Sequence, residues 1–219
     1  VITQPAETQS PFTFDGGSYS ADIFNNRNGG LSVSVENKQL KLQQPAGASN
    51  WLWLKQDMRE FELYGTVGAV TCCLDSLNYL LGDGELSKCF SLVHNYLDPD
   101  GLFLFDINTP HKFENVYGNN TYVYEEEDCG GNSFCVWQNC FDKETSLCDF
   151  RLNVFEKDKE SSLYVRRDEE QCERCYSRDE IISTLQKNKL ELIVIYSDFE
   201  FTSASENDER WYFVARAKK

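Results

Sequence analysis

Three apolar runs in this chain each lead to an aspartate: residues 51–54 to Asp57, residues 67–74 to Asp75, and residues 102–105 to Asp106. Runs that are apolar on both faces are what buried parallel strands require. In an open α/β sheet ligands sit outside the carboxyl ends of the strands, so three carboxylates at three strand ends are expected to share one crevice that takes a small molecule. Taken singly, an aspartate after a strand just as readily caps a helix or starts a turn. The set of three is the signal. His111 follows the third run and is a candidate general base, with Asp106 beside it. Cys172 and Cys175 form the C-x-x-C of the chain, but no second pair with that spacing exists and His94 and His111 lie far away in sequence, so no metal is expected.

Elements able to hold these groups can be read around them. Residues 83–97 repeat Leu86, Phe90, Val93 and Leu97 at helical spacing, with Asp83 placed to cap the start and Asp98-Pro99-Asp100-Gly101 to end it. A strand, helix, strand unit follows, with right-handed crossover packing. Residues 121–176 show β alternation at 133–141, 147–155 and 163–167, which reads as an antiparallel meander inserted into the α/β frame. Ser177 and Glu180 stand as a capping box before a helix carrying Ile181, Ile182 and Leu185. Two closing strands, 191–201 and 210–217, are expected to form an antiparallel edge. Residues 1–50 are rich in Gly, Asn, Ser and Gln and show only brief strands at 31–35 and 39–42 between turn signals.

Bulk properties narrow the class. With 219 residues, 41% of them apolar, the chain is long enough for one sizeable core, and no apolar stretch approaches the roughly 18 residues of a membrane span. The formal charge of −15 opposes a polyanion, so nucleic acid is not an expected partner. The nine cysteines are odd in number and include the adjacent Cys72 and Cys73, which fits buried thiols in a reducing, cytoplasmic setting. No secretory signal is visible, and a start at Val1 without methionine suggests a processed, truncated or engineered chain.

Three stretches carry a resemblance: Gln56-Asp57-Met58-Arg59-Glu60-Phe61, Asp75-Ser76-Leu77-Asn78-Tyr79-Leu80, and Phe105-Asp106-Ile107-Asn108-Thr109. In type, order and spacing, residues 51–219 resemble the small class I S-adenosylmethionine-dependent methyltransferases of bacteria, in which such segments follow the third, fourth and fifth strands. The resemblance implies an α/β fold: a Rossmann-like, mostly parallel sheet with an antiparallel last strand and an inserted antiparallel β-meander. It divides the chain into a β-rich segment at 1–50, a core at 51–120 and 177–219, and a β insert at 121–176 over the acceptor site. It implies that S-adenosylmethionine is held by Asp57, accepting from the adenine amine, by Met58 beside the ring, and by Leu74 and Asp75 near the methionine end. Asn78, Tyr79, Asn108, Tyr124 and Trp137 would then shape the pocket for a small-molecule methyl acceptor.

One part of the family pattern is missing. No acidic-x-Gly-x-Gly turn precedes residue 51, and Gly16-Gly17 and Gly29-Gly30 look like hairpin turns, since no helical periodicity follows them. Two readings stay open. One is a methyltransferase acting on a small molecule, defective if nothing replaces that glycine-rich motif. The other is a non-catalytic, methyltransferase-like binding or interaction protein, with a glycan-binding segment at its N-terminus.

Overall fold

In a computed structural model, the structure describes residues 55–125, 133–158, 160–161, 163–197 and 201–219, together with the strand pairing of 32–36 and 39–43. The first strand, β1 (Ser32–Glu36), pairs antiparallel with β2 (Gln39–Gln43), close to the two brief strands expected there. The expected strand at 51–54 lies outside the described residues.

The main sheet contains β3 (Val67–Cys72), β4 (Leu97–Asn108), β9 (Leu190–Tyr196) and β10 (Arg210–Ala217), in the order β3-β4-β10-β9. Strands β3 and β4 are parallel, and β10 runs antiparallel to both of its neighbours. Three of these four strands therefore point the same way and the last lies reversed between two of them. The Rossmann-like sheet and its antiparallel last strand are as the sequence implied.

Both faces of β4 are buried: Phe103, Phe105 and Ile107 on one, Leu102, Asp106 and Asn108 on the other. Strand β3 departs from expectation, because Gly68, Ala69 and Thr71 are exposed. Its one partner among the described residues is β4, so among those residues it borders the sheet.

Helix α1 (Glu85–Tyr96) buries Leu86, Cys89, Phe90 and Val93, which continues the periodicity read from the sequence. Asp83 does not cap it. Gly84, in a left-handed conformation, occupies the cap position without a side-chain bond, and Asp83 bonds Arg174 instead. At the other end Gly101 packs against the backbone of Asp98, where an added Cβ would stand 2.9 Å from the Asp98 carbonyl oxygen. That approach lets the chain turn from α1 into β4 within the Asp98–Gly101 bulge. Helix α2 (Arg178–Lys187) is capped as expected, the Ser177 hydroxyl accepting from the Glu180 N–H at 3.2 Å, and it buries Ile181 and Leu185. Both helices pack on the core formed by β4 and by Trp211, Phe213, Ala215 and Ala217 of β10, with Phe105 and Phe213 stacked at 4.8 Å. Fully burying side chains of this size contributes about 1.5–3 kcal/mol each against exposure.

The insert is an antiparallel meander of β5 (Thr121–Glu125), β6 (Ser133–Asp142), β7 (Leu147–Lys157) and β8 (Tyr164–Arg174). Strand β8 is longer than the 163–167 read from alternation, because pairing with β7 continues through its charged residues to Arg174. A second core, of Phe113, Tyr117, Cys148 and Phe150, joins the meander to the helical turn Lys112–Tyr117 that follows β4.

Candidate functional site

The carboxyl ends of β3 and β4 meet in a tightly bonded polar cluster. After β3 the chain turns through Leu74 and Asp75, both left-handed at φ 59 and 52. Non-glycine residues adopt that region at a cost, and the surroundings here hold them there. The Asp106 carboxylate accepts the Leu74 N–H at 2.8 Å and the Asp75 N–H at 3.0 Å. Arg210, the first residue of β10, pairs with Asp75 at 2.9 Å and also with Asp106. It arrives there because antiparallel register sets Arg210 opposite Asn108 at the end of β4. Burial alone would pull the Arg210 guanidinium down, but Asp75 and Asp106 outweigh it and hold the group well above the usual arginine range.

Asn108 is the hub. Its Nδ2 donates to Asp75 at 3.0 Å and to Glu173 at 2.9 Å, and its Oδ1 accepts from Lys112 Nζ at 3.1 Å. Asn78 is wholly buried and ties the turn to two other elements. Its Oδ1 accepts the Asn108 N–H at 3.0 Å and its Nδ2 donates to the Arg174 carbonyl at 2.9 Å. Tyr79 donates its hydroxyl to Gln171 of β8 at 2.6 Å. Through these bonds the far end of β8 is fastened across the turn, and it delivers Glu173, 3% exposed, to the cluster. Burial pushes Glu173 up to about 7, with Asp75 adding to the shift and the Asn108 amide opposing it. Burial also pushes Tyr79 up to about 12.

The other predicted residues fall elsewhere. Asp57 does not join Asp75 and Asp106, because it is engaged by Arg59. Its carboxylate accepts from the Arg59 backbone N–H at 2.8 Å, from Nε at 2.9 Å and from Nη2 at 2.6 Å, and Arg59 goes on to Glu85 at 2.6 Å. These bonds hold Asp57 well below the usual carboxylate range. The expectation of three aspartates in one crevice is met by two. Met58 packs part of its side chain against the main core and stays partly exposed. His111 sits on the outside of its turn, with Nδ1 3.2 Å from Asn115 Nδ2, and the neighbouring Lys112 is the residue that reaches inward. Tyr124 and Trp137 stand in an aromatic group, 6.1 Å apart, whose Tyr117 links it to Asn108 at 3.4 Å. The indole N–H of Trp137 is buried without a partner among the described residues. A cleft of about 190 Å3 beside α1 and α2, lined by Gly82, Ser87, Arg174 and Lys187 among others, contains none of the predicted residues. Geometry and charge single out the polar cluster instead. Cys172 and Cys175 are free thiols pushed up by burial, to about 11 and about 12. Among the described residues no group of three or more His, Cys, Asp or Glu is arranged to hold a metal ion, and no helix is long and apolar enough to cross a membrane.

Arg210, Glu173 and Lys112 were not singled out from the sequence. Arg210 begins the last strand, and its place follows once the register with β4 is known. Glu173 is hidden in an acidic stretch, Asp168-Glu169-Glu170 and onward, of which it is the buried member.

No protein-family model matches the chain. A Bacillus subtilis (strain 168) protein named "Putative methyltransferase YqeM" is 29% identical over 191 residues, 87% of this chain and 75% of that protein. A second such protein, from Geobacillus sp. (strain WCH70), is 28% identical and covers 75% of this chain. The crystal structure of an S-adenosylmethionine-dependent methyltransferase from Clostridium acetobutylicum ATCC 824 superposes with a TM-score of 0.67 at 29% identity, over 75% of this chain. The CcbJ methyltransferase of Streptomyces caelestis, at 20% identity and a TM-score of 0.64, shares the fold. The chain spans less than two thirds of the length of the Geobacillus relative, 64%, and of these two structures, 63% and 62%. The relatives are methyltransferases by name, and the described part of the chain has the Rossmann-like fold of the S-adenosylmethionine-dependent kind.

S-adenosylmethionine, which that likeness implies, can be tested against the side chains present. A sulfonium needs a negative field. The cluster sets Asp75, Asp106 and Glu173 against Arg210 and Lys112. It also needs apolar contact, and Leu74, 68% exposed at the turn, offers an unpartnered apolar side chain beside Asp75. An adenine amine needs an acceptor. Asp57 holds three donors on a carboxylate with about four acceptor positions, and its side chain is 35% exposed, so one position remains. The residues fit.

Proposed function

We propose that this chain is a methyltransferase that takes its methyl group from S-adenosylmethionine and transfers it to a small molecule. The observation that carries the reading is the turn at Leu74 and Asp75, pinned by Asp106 and Arg210 into an acidic ledge at the carboxyl ends of β3 and β4. When bound, the cofactor supplies the electrophilic methyl group, so the protein has chiefly to align the reactants and exclude water. Leu74 and Asp75 would face the methionine end. Asp57 and the Met58 backbone would meet adenine. Asp106, with both oxygens engaged, holds the turn in place and moves no proton. Asn108 fixes Asp75, while Asn78 and Tyr79 fasten β8 over the ledge as the wall of the acceptor pocket. Tyr124 and Trp137 would form its outer, aromatic side. His111, whose Nδ1 is taken up by Asn115, would stand beside the site and not be its main base. The formal charge of −15 disfavours a nucleic acid as acceptor.

The second reading is a non-catalytic binding protein on the same fold, and it is suggested by residues 1–50, which carry no acidic-x-Gly-x-Gly turn. S-adenosylhomocysteine separates the two. A ligand at about 100 times its dissociation constant stabilises the folded state by about 2.7 kcal/mol, so the melting temperature is expected to rise, and to rise less in Asp57→Ala. No shift at millimolar ligand would remove the enzymatic reading.

A further inference from the structure

Of the three carboxyls in the cluster, two are matched by a cation. Arg210 forms ion pairs with both Asp75 and Asp106. Glu173, buried to 3% exposure, has no ion-pair partner among the described residues. The titratable groups around it come from every element packed there. Asp75 belongs to the turn after β3, and Tyr79 to the short helix that follows. Lys112 and Tyr117 belong to the turn after β4, and Cys148 to β7. Lys112 is the cation among them. It is bonded to Asn108 Oδ1 and lies over the Tyr117 ring at 5.1 Å, and burial together with the Arg210 charge lowers its own hold on a proton. Three acids thus stand against two cations in a place largely closed to water, and the balance closes only when Glu173 holds a proton or a further cation arrives.

Glu173 differs from its neighbours in origin as well. Asp75 and Asp106 come from the sheet end that would face the methyl donor, whereas Glu173 comes from β8 of the insert, on the side that would meet the acceptor. With a neutral hydroxyl or thiol beside it Glu173 keeps its own proton and offers no charge, and an acidic acceptor would be repelled by Asp75 and Asp106. An ammonium group brings the further cation that lets Glu173 ionise.

We infer that Glu173 recognises the amino group of the methyl acceptor in its ammonium form and then takes its proton, which makes the acceptor a small primary or secondary amine. This rests on the methyltransferase reading. In the step, an N–H bond of the ammonium breaks and its proton goes to a Glu173 oxygen. The freed lone pair forms the N–C bond to the methyl carbon, and the C–S electron pair leaves to the sulfur of the sulfonium donor. The carboxyl's position near neutrality, about 7, matches that work.

The test uses the whole chain saturated with S-adenosylhomocysteine, titrated calorimetrically with n-butylamine and with n-butanol, which match in shape and differ in head group. The amine is expected to bind about tenfold more tightly than the alcohol, as a charge-assisted bond does. Its advantage should grow between about pH 6 and about pH 8, where Glu173 loses its proton while the amine keeps its own. In Glu173→Gln, which keeps the shape and an acceptor for Asn108, the preference is expected to vanish while S-adenosylhomocysteine still binds. Equal binding of amine and alcohol, or a preference that survives Glu173→Gln, overturns the assignment and leaves the methyltransferase reading standing. Failure of the unaltered chain to bind S-adenosylhomocysteine overturns both.

Discussion

Two of the arginine–carboxylate pairs in this molecule flank predicted site residues, and their bonds are of similar length: 2.9 Å from Arg210 to Asp75 and 2.6 Å from Arg59 to Asp57. They differ in depth. At the sheet end the side chains of Arg210, Asp75 and Asp106 are 18%, 17% and 4% exposed, whereas Arg59 and Asp57 are 43% and 35% exposed. Short bonds alone do not rank the two. In the open, water and salt compete for each partner and the pair contributes little. Under cover, each ion depends on the other, because neither can return to water without unfolding its surroundings. The buried centre is therefore architecture. The exposed one can exchange partners, which the proposed contact of Asp57 with an adenine amine requires.

The comparison can be broken by removing one member at a time. The largest effect is expected from Arg210→Met, which strands two buried carboxylates and should cost about 3–5 kcal/mol in urea denaturation. A loss no greater than that of a surface pair would show that the sheet-end acids are wetter than described. Next is the pH dependence caused by Glu173. Its position at about 7, above the ordinary 4.5, means that the folded protein holds the proton more tightly than the unfolded chain. The stability this contributes is complete below about pH 4.5 and is lost as pH rises through about 7, a fall of about 1–3 kcal/mol that Glu173→Gln should flatten. Asn78→Ala, which unpairs the Asn108 N–H and the Arg174 carbonyl, should cost about 1–3 kcal/mol at any pH. The smallest effect belongs to Arg59→Ala. Its denaturation midpoint should stay in place, and a clear drop would mean that Asp57 is structural too.

The elements could be read where one periodicity ruled them. Phe90 and Val93 announce the buried face of α1, and Ser177 with Glu180 announces the start of α2, because helix spacing and capping are local properties. Alternation alone carries β8 only to Arg167, since its far half is charged and its pairing is set by β7. Asp83 has the local signature of a cap, and nothing local shows that Arg174, 91 positions away, competes for it. The site divides in the same way. Asp75 and Asp106 are marked by the apolar runs before them. Asp57 carries the same mark, yet two residues later Arg59 folds back on it, and alternation of apolar residues is blind to such a contact. Arg210 and Glu173 depend on strand register and on the closure of the meander, both of which exist only in three dimensions.

The reversed course of β10 has a bearing on how the molecule is made. Arg210 lies 135 positions after Asp75 and 104 after Asp106 in the chain. During synthesis the acids emerge long before their cation, and the parallel pair β3-β4 can form while its carboxyl end still carries unbalanced charge. Only insertion of the final strand both closes the gap between β4 and β9 and neutralises that end. Completion of the sheet and completion of the ledge are thus one event, and a ribosome-bound chain stopped short of Arg210 has neither.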